Sequence, residues 1–334
     1  ANLLGDRNST TAEGFLMEST TLGNSGLEVS RLGFGGCPLG GHGWGNDSSD
    51  AEGVAAVRKA LELGVTFFDT ADVYGLGRSE ELLSEALGDA RHEVVIATKF
   101  GVRWDLQGNT RKDISPDYVR TALEASLRRL RLECIPLYYV HWPDGVTPVE
   151  EIVGELECLR SEGKIGAIGL SNFSPEKVKR AAEVAPISAL QIQYSLVDRS
   201  LAEEASETTQ ATDTPLVTWG SLAQGLLSGK YDVNSRFEEN DRRSRYENFQ
   251  GEKFHANLRV VDALKQIAAR VGKSPAQTAM RWLLDTDGVG SVLFGAKRPQ
   301  QVVENLGAAD WQLSEASYQQ LIETARDADR ARAA

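Results

Sequence analysis

Val94-Val95-Ile96-Ala97-Thr98-Lys99 is an almost unbroken apolar run that ends on a lysine. Polar and apolar residues do not alternate in it, so both faces of an extended segment must be covered, as in a parallel sheet flanked by helices. Pro136-Leu137-Tyr138-Tyr139-Val140 reads the same way. Working outward from these two, short β-branched runs recur at 32–35, 65–69, 94–99, 135–141, 165–171, 189–194, 215–219 and 289–294.

Amphipathic segments separate the runs. In 118–130, Val119, Leu123, Leu127 and Leu130 recur at spacings of three and four, which predicts a helix buried along one stripe. Ser115-Pro116, Thr147-Pro148, Ser174-Pro175 and Ser274-Pro275 mark helix starts, with a hydroxyl to cap free amides and proline in the first turn. Thr147-x-x-Glu150 and Ser274-x-x-Gln277 also have the form of a capping box.

Eight strand-then-helix units with right-handed crossovers close into a (β/α)8 barrel. An open doubly wound sheet is the competitor, but no Gly-x-Gly-x-x-Gly follows any strand. Gly272-Lys273-Ser274 looks like the end of a phosphate loop, yet Ile267 stands where its first glycine belongs, so it reads as a helix boundary. The short pieces 20–22 and 28–29, joined by Gly23-Asn24-Ser25-Gly26, predict a hairpin that plugs the bottom of the barrel. The charged, weakly periodic stretch 220–255 predicts a long functional or mobile connection after strand seven. One barrel over 19–327 is expected, with a polar tail at 1–18, Met17 as a natural start and a short tail at 328–334.

Composition narrows the class. The 334 residues are 41% hydrophobic and 25% charged, which is that of a folded globular chain. With 36 Lys and Arg against 48 Asp and Glu, the net charge of −12 disfavours a nucleic-acid partner. Three cysteines, Cys37, Cys134 and Cys158, make no disulfide framework and fit a reducing, cytoplasmic setting. No run of about 18 apolar residues is present to span a bilayer, and no cluster has metal-ligand spacing, so neither membrane nor metal is expected.

Strand ends on the C-terminal face of such a barrel build the active site. They carry Asp69 with Tyr74 just beyond, Lys99, His141, Ser171-Asn172, Gln193 and Trp219. Singly, Asp69 reads as a helix cap, Lys99 as a rim lysine and His141 as a structural histidine. Together they must share a small space. A phenol of pKa about 10 gives up a proton reluctantly, and an adjacent ammonium favours the phenolate. Lys99 would supply that charge, Asp69 would pair with the buried ammonium, and His141 would orient a substrate carbonyl.

The chain resembles the aldo-keto reductase superfamily over 20–322. The resemblance is carried by 64–75 (GVTFFDTADVYG), Ala97-Thr98-Lys99, Val140-His141-Trp142-Pro143, Gly163-Lys164-Ile165 and Ile168-Gly169-Leu170-Ser171-Asn172-Phe173. It implies a catalytic tetrad of Asp69, Tyr74, Lys99 and His141, with Tyr74 the proton donor in reduction. It also implies NADPH lying extended across the barrel mouth, in preference to NADH. Ser171, Asn172 and Gln193 would hold the carboxamide and Trp219 would stack on the nicotinamide. Leu222, Gly225 and Lys230 lie in a stretch (222–231) that resembles the family's loop over the pyrophosphate, with Arg243 closing over the phosphates, and Gly36, Cys37, Asp69 and Gly220 would also contact the cofactor. Gly295, Lys297, Gln301, Glu304 and Asn305 would form the adenosine end, with Lys297 on the 2′-phosphate.

Two positions depart from the family pattern: Gly220-Ser221 stands where Ser-Pro is common, and Phe294 where proline is common. Within the superfamily, 249–254 and 295–297 most resemble bacterial reductases of the inositol-catabolism type and the potassium-channel β-subunit branch. Trp44, Tyr74, Trp104, His141 and Trp142 are expected to wall a pocket for a carbonyl compound or sugar-like ring. The expected molecule is a monomer or homo-oligomer acting on a small molecule. Two other classes suit the same residues: a Schiff-base lyase using Lys99, and a cofactor-sensing module without turnover.

Overall fold

A computed structural model describes residues 17–41, 49–105, 107–238 and 241–333. Eight parallel strands close into a barrel: β1 (Leu32–Gly35), β2 (Phe67–Asp69), β3 (Val95–Phe100), β4 (Ile135–Val140), β5 (Ile165–Ser171), β6 (Ala189–Gln193), β7 (Leu216–Trp219) and β8 (Val289–Gly295). Each expected strand is present. Pairing of β8 with β1, Phe294 opposite Phe34, closes the ring.

Side chains alternate between two cores. Phe67, Ala97, Leu137, Tyr139, Ala167, Ala189, Val217 and Leu293 fill the lumen, whereas their chain neighbours pack outward against the helices. Two bulky lumen rings require glycine beside them. A Cβ on Gly169 would lie 2.4 Å from the Tyr139 ring, and one on Gly33 would lie 2.8 Å from Phe67.

The helices are α1 (Asp50–Glu62), α2 (Arg78–Leu87), α3 (Pro116–Leu130), α4 (Val149–Ser161), α5 (Pro175–Ala182), α6 (Ser200–Ala211), α7 (Gly251–Val271), α8 (Pro275–Leu284), α9 (Pro299–Leu306) and α10 (Glu315–Ala333). Three of the four expected proline starts hold proline as the first helical residue. The Ser274–Gln277 capping box closes, with Ser274 Oγ accepting the Gln277 amide at 3.2 Å and Gln277 Oε1 accepting the Ser274 amide at 2.9 Å. The Thr147–Glu150 box does not. There Asp144 takes the amides of Val146 and Thr147 at 2.9 and 2.8 Å and the Thr147 hydroxyl at 2.7 Å, and α4 begins after Pro148. Gly272, at φ +67°, ends α7 as the helix boundary expected there.

Ser19–Thr21 and Glu28–Ser30 form the expected antiparallel hairpin. Its Leu22 and Val29 are fully buried among the lumen residues, so the hairpin does plug the barrel. Residues 1–16 lie outside the described residues. Met17 packs on the outer core and Glu18 accepts from Arg281 Nη1 at 3.1 Å, so these two are anchored and not part of a loose tail. At the other end α10 continues past 327 to Ala333, and Asp329 in that stretch accepts an ion pair from Arg199. The long connection after β7 is shorter than expected, because α7 begins at Gly251 and Phe249 packs against Tyr231 and Phe237. Among the described residues no helix is long and apolar enough to cross a membrane.

Leu22→Ala empties the plug at the face away from the strand ends where catalytic residues were expected. It should cost about 2–5 kcal/mol of unfolding free energy in urea titration while leaving cofactor affinity of the folded enzyme intact. A stability loss near zero would show that the lumen is sealed without the hairpin.

Candidate active site

The period of two that fills the lumen also aims the polar side chains. Phe67 and Asp69, Ala97 and Lys99, Ala189 and Gln191, and Val217 and Trp219 are i, i+2 pairs, each with an apolar residue in the lumen below and a functional residue at the mouth. Parallel register makes them neighbours: Asp69 on β2 lies opposite Ala97, and Lys99 on β3 lies opposite Tyr139 on β4.

Lys99 has no solvent exposure. Its Nζ donates to Asp69 Oδ1 at 2.5 Å and to the Thr70 carbonyl at 2.7 Å, and sits 5.1 Å from the Tyr74 ring centroid. The second Asp69 oxygen accepts from Gln191 Nε2 at 2.7 Å. Burial pushes the Asp69 carboxyl up, and the Lys99 ammonium beside it opposes that shift. His141 meets Tyr74 edge-on, with ring centroids 5.7 Å apart. Burial, reinforced by the charges of Lys99 and Lys112, pushes the imidazole well below its ordinary value, so it is neutral at physiological pH. The four expected catalytic side chains thus converge. Tyr139, also close by, is sealed in the lumen, and burial together with the Asp69 charge keeps its phenol protonated.

Ser171, Asn172 and Trp219 interlock at the ends of β5 and β7. Asn172, at φ +63°, donates to the His141 carbonyl at 3.0 Å and to Ser171 Oγ at 2.9 Å, and accepts from Trp219 Nε1 at 3.1 Å. Trp142 stacks beside His141 at 6.3 Å and meets Trp219 edge-on at 6.3 Å. Gly220, at φ +67°, lies between Gln193 and Gln224, and a Cβ there would stand 3.3 Å from the first and 3.4 Å from the second.

The cations expected over the phosphates gather around one tyrosine. Lys230 lies over the Tyr231 ring at 5.0 Å, and Arg243 donates to the Tyr231 hydroxyl and pairs with Asp241. Asp241 is held low by Arg243 and further by Lys297, so the loops after β7 and β8 meet here. Leu222 and Gly225 lie in the turn that leads to Lys230, with Gly225 at φ +93°.

Other expected residues act differently. Gln301 Oε1 accepts the Lys297 amide at 2.7 Å and Asn305 Nδ2 donates to the Gly295 carbonyl at 3.4 Å, so both brace the 295–298 backbone. Glu304 is exposed on α9. Gly36 donates its amide to the Asp69 carbonyl at 2.6 Å, and the half-buried Cys37 follows it. Ser221, at the position that departs from the family pattern, is buried and donates to the Leu293 carbonyl at 2.9 Å. Trp104 lines a cleft of about 470 Å³ beside α3 with Asp72, Tyr118 and Arg129, and neither Tyr74 nor Trp142 lines that cleft. Trp44 lies outside the described residues.

Gln191 was not among the expected site residues, although it shares the inward face of β6 with Gln193 at the strand's period of two. Nor was Lys112, which a hairpin of Val102–Trp104 with Thr110–Lys112 brings over the Trp142 ring at 5.0 Å. Arg298 was not among them either. It pairs with Glu52 at 2.9 Å and so ties the start of α9 to α1.

The geometry defines a (β/α)8-barrel enzyme with a buried lysine–carboxylate pair beneath a tyrosine and a neutral histidine. The model of the aldo/keto reductase family matches residues 31–326, and the chain belongs to that family. It is 35% identical to aldo-keto reductase YhdN of Bacillus subtilis over 301 residues, covering 89% of this chain and 90% of that protein. It is also 35% identical to the aldo-keto reductase yakc [NADP(+)] of Schizosaccharomyces pombe over 307 residues, 90% of each. The glycerol dehydrogenase AKR11B4 of Gluconobacter oxydans superposes with a TM-score of 0.83 at 34% identity, covering 92% of this chain and 94% of that one.

Asp72, two residues before Tyr74, carries a separate signature. It is 1% exposed, and burial together with the Glu80 charge pushes its carboxyl well up. A raised native value means that this group costs nothing below the unfolded value of about 4 and lowers stability as pH rises above it. Asp72→Asn should therefore melt higher than the parent at pH 8, with the gain shrinking toward pH 4 in parallel calorimetric scans. A gain independent of pH would show that the charge of Asp72 is not the cause.

Proposed function

We propose that the protein is an NADPH-dependent reductase of aldehydes or ketones, with Tyr74 the proton donor. The observation that carries the reading is the Lys99 ammonium, fixed between Asp69 and the Thr70 carbonyl and 5.1 Å from the Tyr74 ring.

The residues present fit a nicotinamide dinucleotide. Among the described residues Gln193 has no side-chain hydrogen bond, and Gln224 Oε1 is buried without a partner. These two amides flank Gly220, where a side chain would crowd them, next to Ser171, Asn172 and Trp219. A carboxamide needs both donors and acceptors, and an indole face needs a flat ring. Lys230, Arg243 and Lys297 offer charge to phosphates on the same side of the barrel. The bound nucleotide supplies the hydride.

The protein's own part is positioning and proton transfer. His141, neutral because it is buried near two ammonium groups, offers a hydrogen bond to a carbonyl oxygen without adding a charge. Tyr74 gives its proton to that oxygen, and the Lys99 charge stabilises the phenolate left behind. Asp69 and Gln191 hold the ammonium in place. Trp142 and Trp219 close the sides and exclude water. A small polyhydroxy carbonyl compound is within this class, as the resemblance to a glycerol dehydrogenase supports. A cytoplasmic enzyme is the setting we infer.

Tyr74→Phe should lower kcat by at least about 100-fold in reduction of an aldehyde panel, with NADPH affinity by fluorescence titration within about twofold. Retained turnover, or a borohydride-trapped substrate adduct on Lys99, would favour the lyase reading instead. Lys297→Met should raise KM for NADPH by about fivefold to tenfold, the loss of one partly exposed charge pair, and leave KM for NADH nearly unchanged. Equal effects on both would remove Lys297 from the 2′-phosphate.

A further inference from the structure

Lys112 stands apart from the other cations at the barrel mouth. It ends the hairpin that follows β3, and the tip of that hairpin at Gly108 approaches Leu76, two residues beyond Tyr74. The residue is exposed, and its ammonium lies 5.0 Å over the Trp142 ring, close enough for its charge to act on His141. Nearby carboxylates are engaged elsewhere. Asp113 pairs with Arg103 at 3.4 Å and Arg111 at 3.7 Å, and Asp144 takes Thr147 and three backbone amides. Among the described residues Lys112 makes no ion pair.

Strand order decides which anion this cation serves. In the closed ring β3 and β4 lie across the barrel from β7 and β8. The cations gathered for phosphates, Lys230, Arg243 and Lys297, stand on loops after β7 and β8. Lys112 is therefore beside His141 and Trp142, on the side of the mouth away from the cations gathered for phosphates. A lone ammonium on an aromatic wall attracts an anion there and orients it.

We propose that the preferred substrates are aldehydes or ketones whose far end carries an anionic group, a carboxylate or phosphate, bound by Lys112. The inference deepens the reductase reading and rests on it. The interaction acts mainly on binding, because the anion lies away from the reacting carbon and is held alike in the ground state and the transition state.

The test compares 4-carboxybenzaldehyde with 4-formylbenzamide, which has nearly the same shape without the charge, using NADPH and the full chain. The readout is the ratio of the two KM values, which cancels any change that reaches both substrates through His141. The parent enzyme should favour the carboxylate. Lys112→Gln should shrink that preference about fivefold, as expected for a partly exposed ion pair. Lys112→Glu should reverse it, and Lys112→Arg should restore it. Added salt should weaken the preference of the parent enzyme and leave that of Lys112→Gln unchanged. An unchanged ratio in the Gln and Glu variants would overturn the proposal while leaving the reductase reading in place. Failure of the parent enzyme to reduce either aldehyde would overturn both.

Discussion

A lysine ammonium with no access to water can exist only where protein groups replace its hydration. Moving such a charge into a low-dielectric interior costs several kcal/mol even after relaxation, and truncating one partner of a buried pair leaves the full penalty on the other. Lys99 is in this position, and the local architecture follows from it. Asp69 must end β2 beside it, the Thr70 carbonyl must turn inward, and Gln191 must hold the second carboxylate oxygen. The groups come from three separate parts of the chain: Asp69 and the following Thr70 from the end of β2, Lys99 from β3 and Gln191 from β6. Only a closed ring of parallel strands brings β2, β3 and β6 to one lumen with side chains at the same height. The fold here is the condition for a charge to be buried, and it sets that charge 5.1 Å from the Tyr74 ring.

The same ring fixes how large the lumen residues can be. Tyr139 and Phe67 fill much of the space below the charged layer, and Gly169 and Gly33 give them room. An aliphatic plug, Leu22 and Val29, closes the far end. The lysine–carboxylate pair is thus held in a dry compartment, with apolar packing beneath it and aromatic rings above. The low effective dielectric that makes the pair costly also strengthens its hold on the tyrosine ring.

The strands were legible because burial on both faces leaves a continuous apolar signal that does not depend on partners far away in sequence. Their ends were legible for the same reason, since Asp69, Lys99 and His141 each interrupt an apolar run. Contacts decided by competition were not legible. Thr147 has the form of a cap, but Asp144 accepts from two amides and the Thr147 hydroxyl itself, which takes that hydroxyl out of the capping box. Gln301 and Asn305, expected at the adenosine end, turn instead to brace their own loop. The hairpin carrying Lys112 gave no usable signal, because Val102-Arg103-Trp104 is too short for its alternation to stand out and Thr110-Arg111-Lys112 carries no apolar residue. Trp104, on that hairpin, faces the cleft beside α3.

Backbone strain marks the functional end of the barrel independently of any side-chain argument. Among the described residues outside glycine, positive φ angles occur at Leu76, Asn172, Ala223 and Gln224, all in loops that follow β2, β5 and β7. Arg131, Asp213 and Asp310 share the feature, but each sits just past the end of a helix or in a tight turn, where a left-handed residue is an ordinary terminator. Left-handed conformations at a leucine and an alanine cost of order 1–3 kcal/mol each and persist only where surrounding contacts hold them. Here they lie in the turns that carry Tyr74, Asn172 and Gln224. Stability is spent at the strand ends that carry the chemistry, whereas the opposite end is closed by a relaxed hairpin. That asymmetry points to the same face as the charges do, by a route that involves none of them.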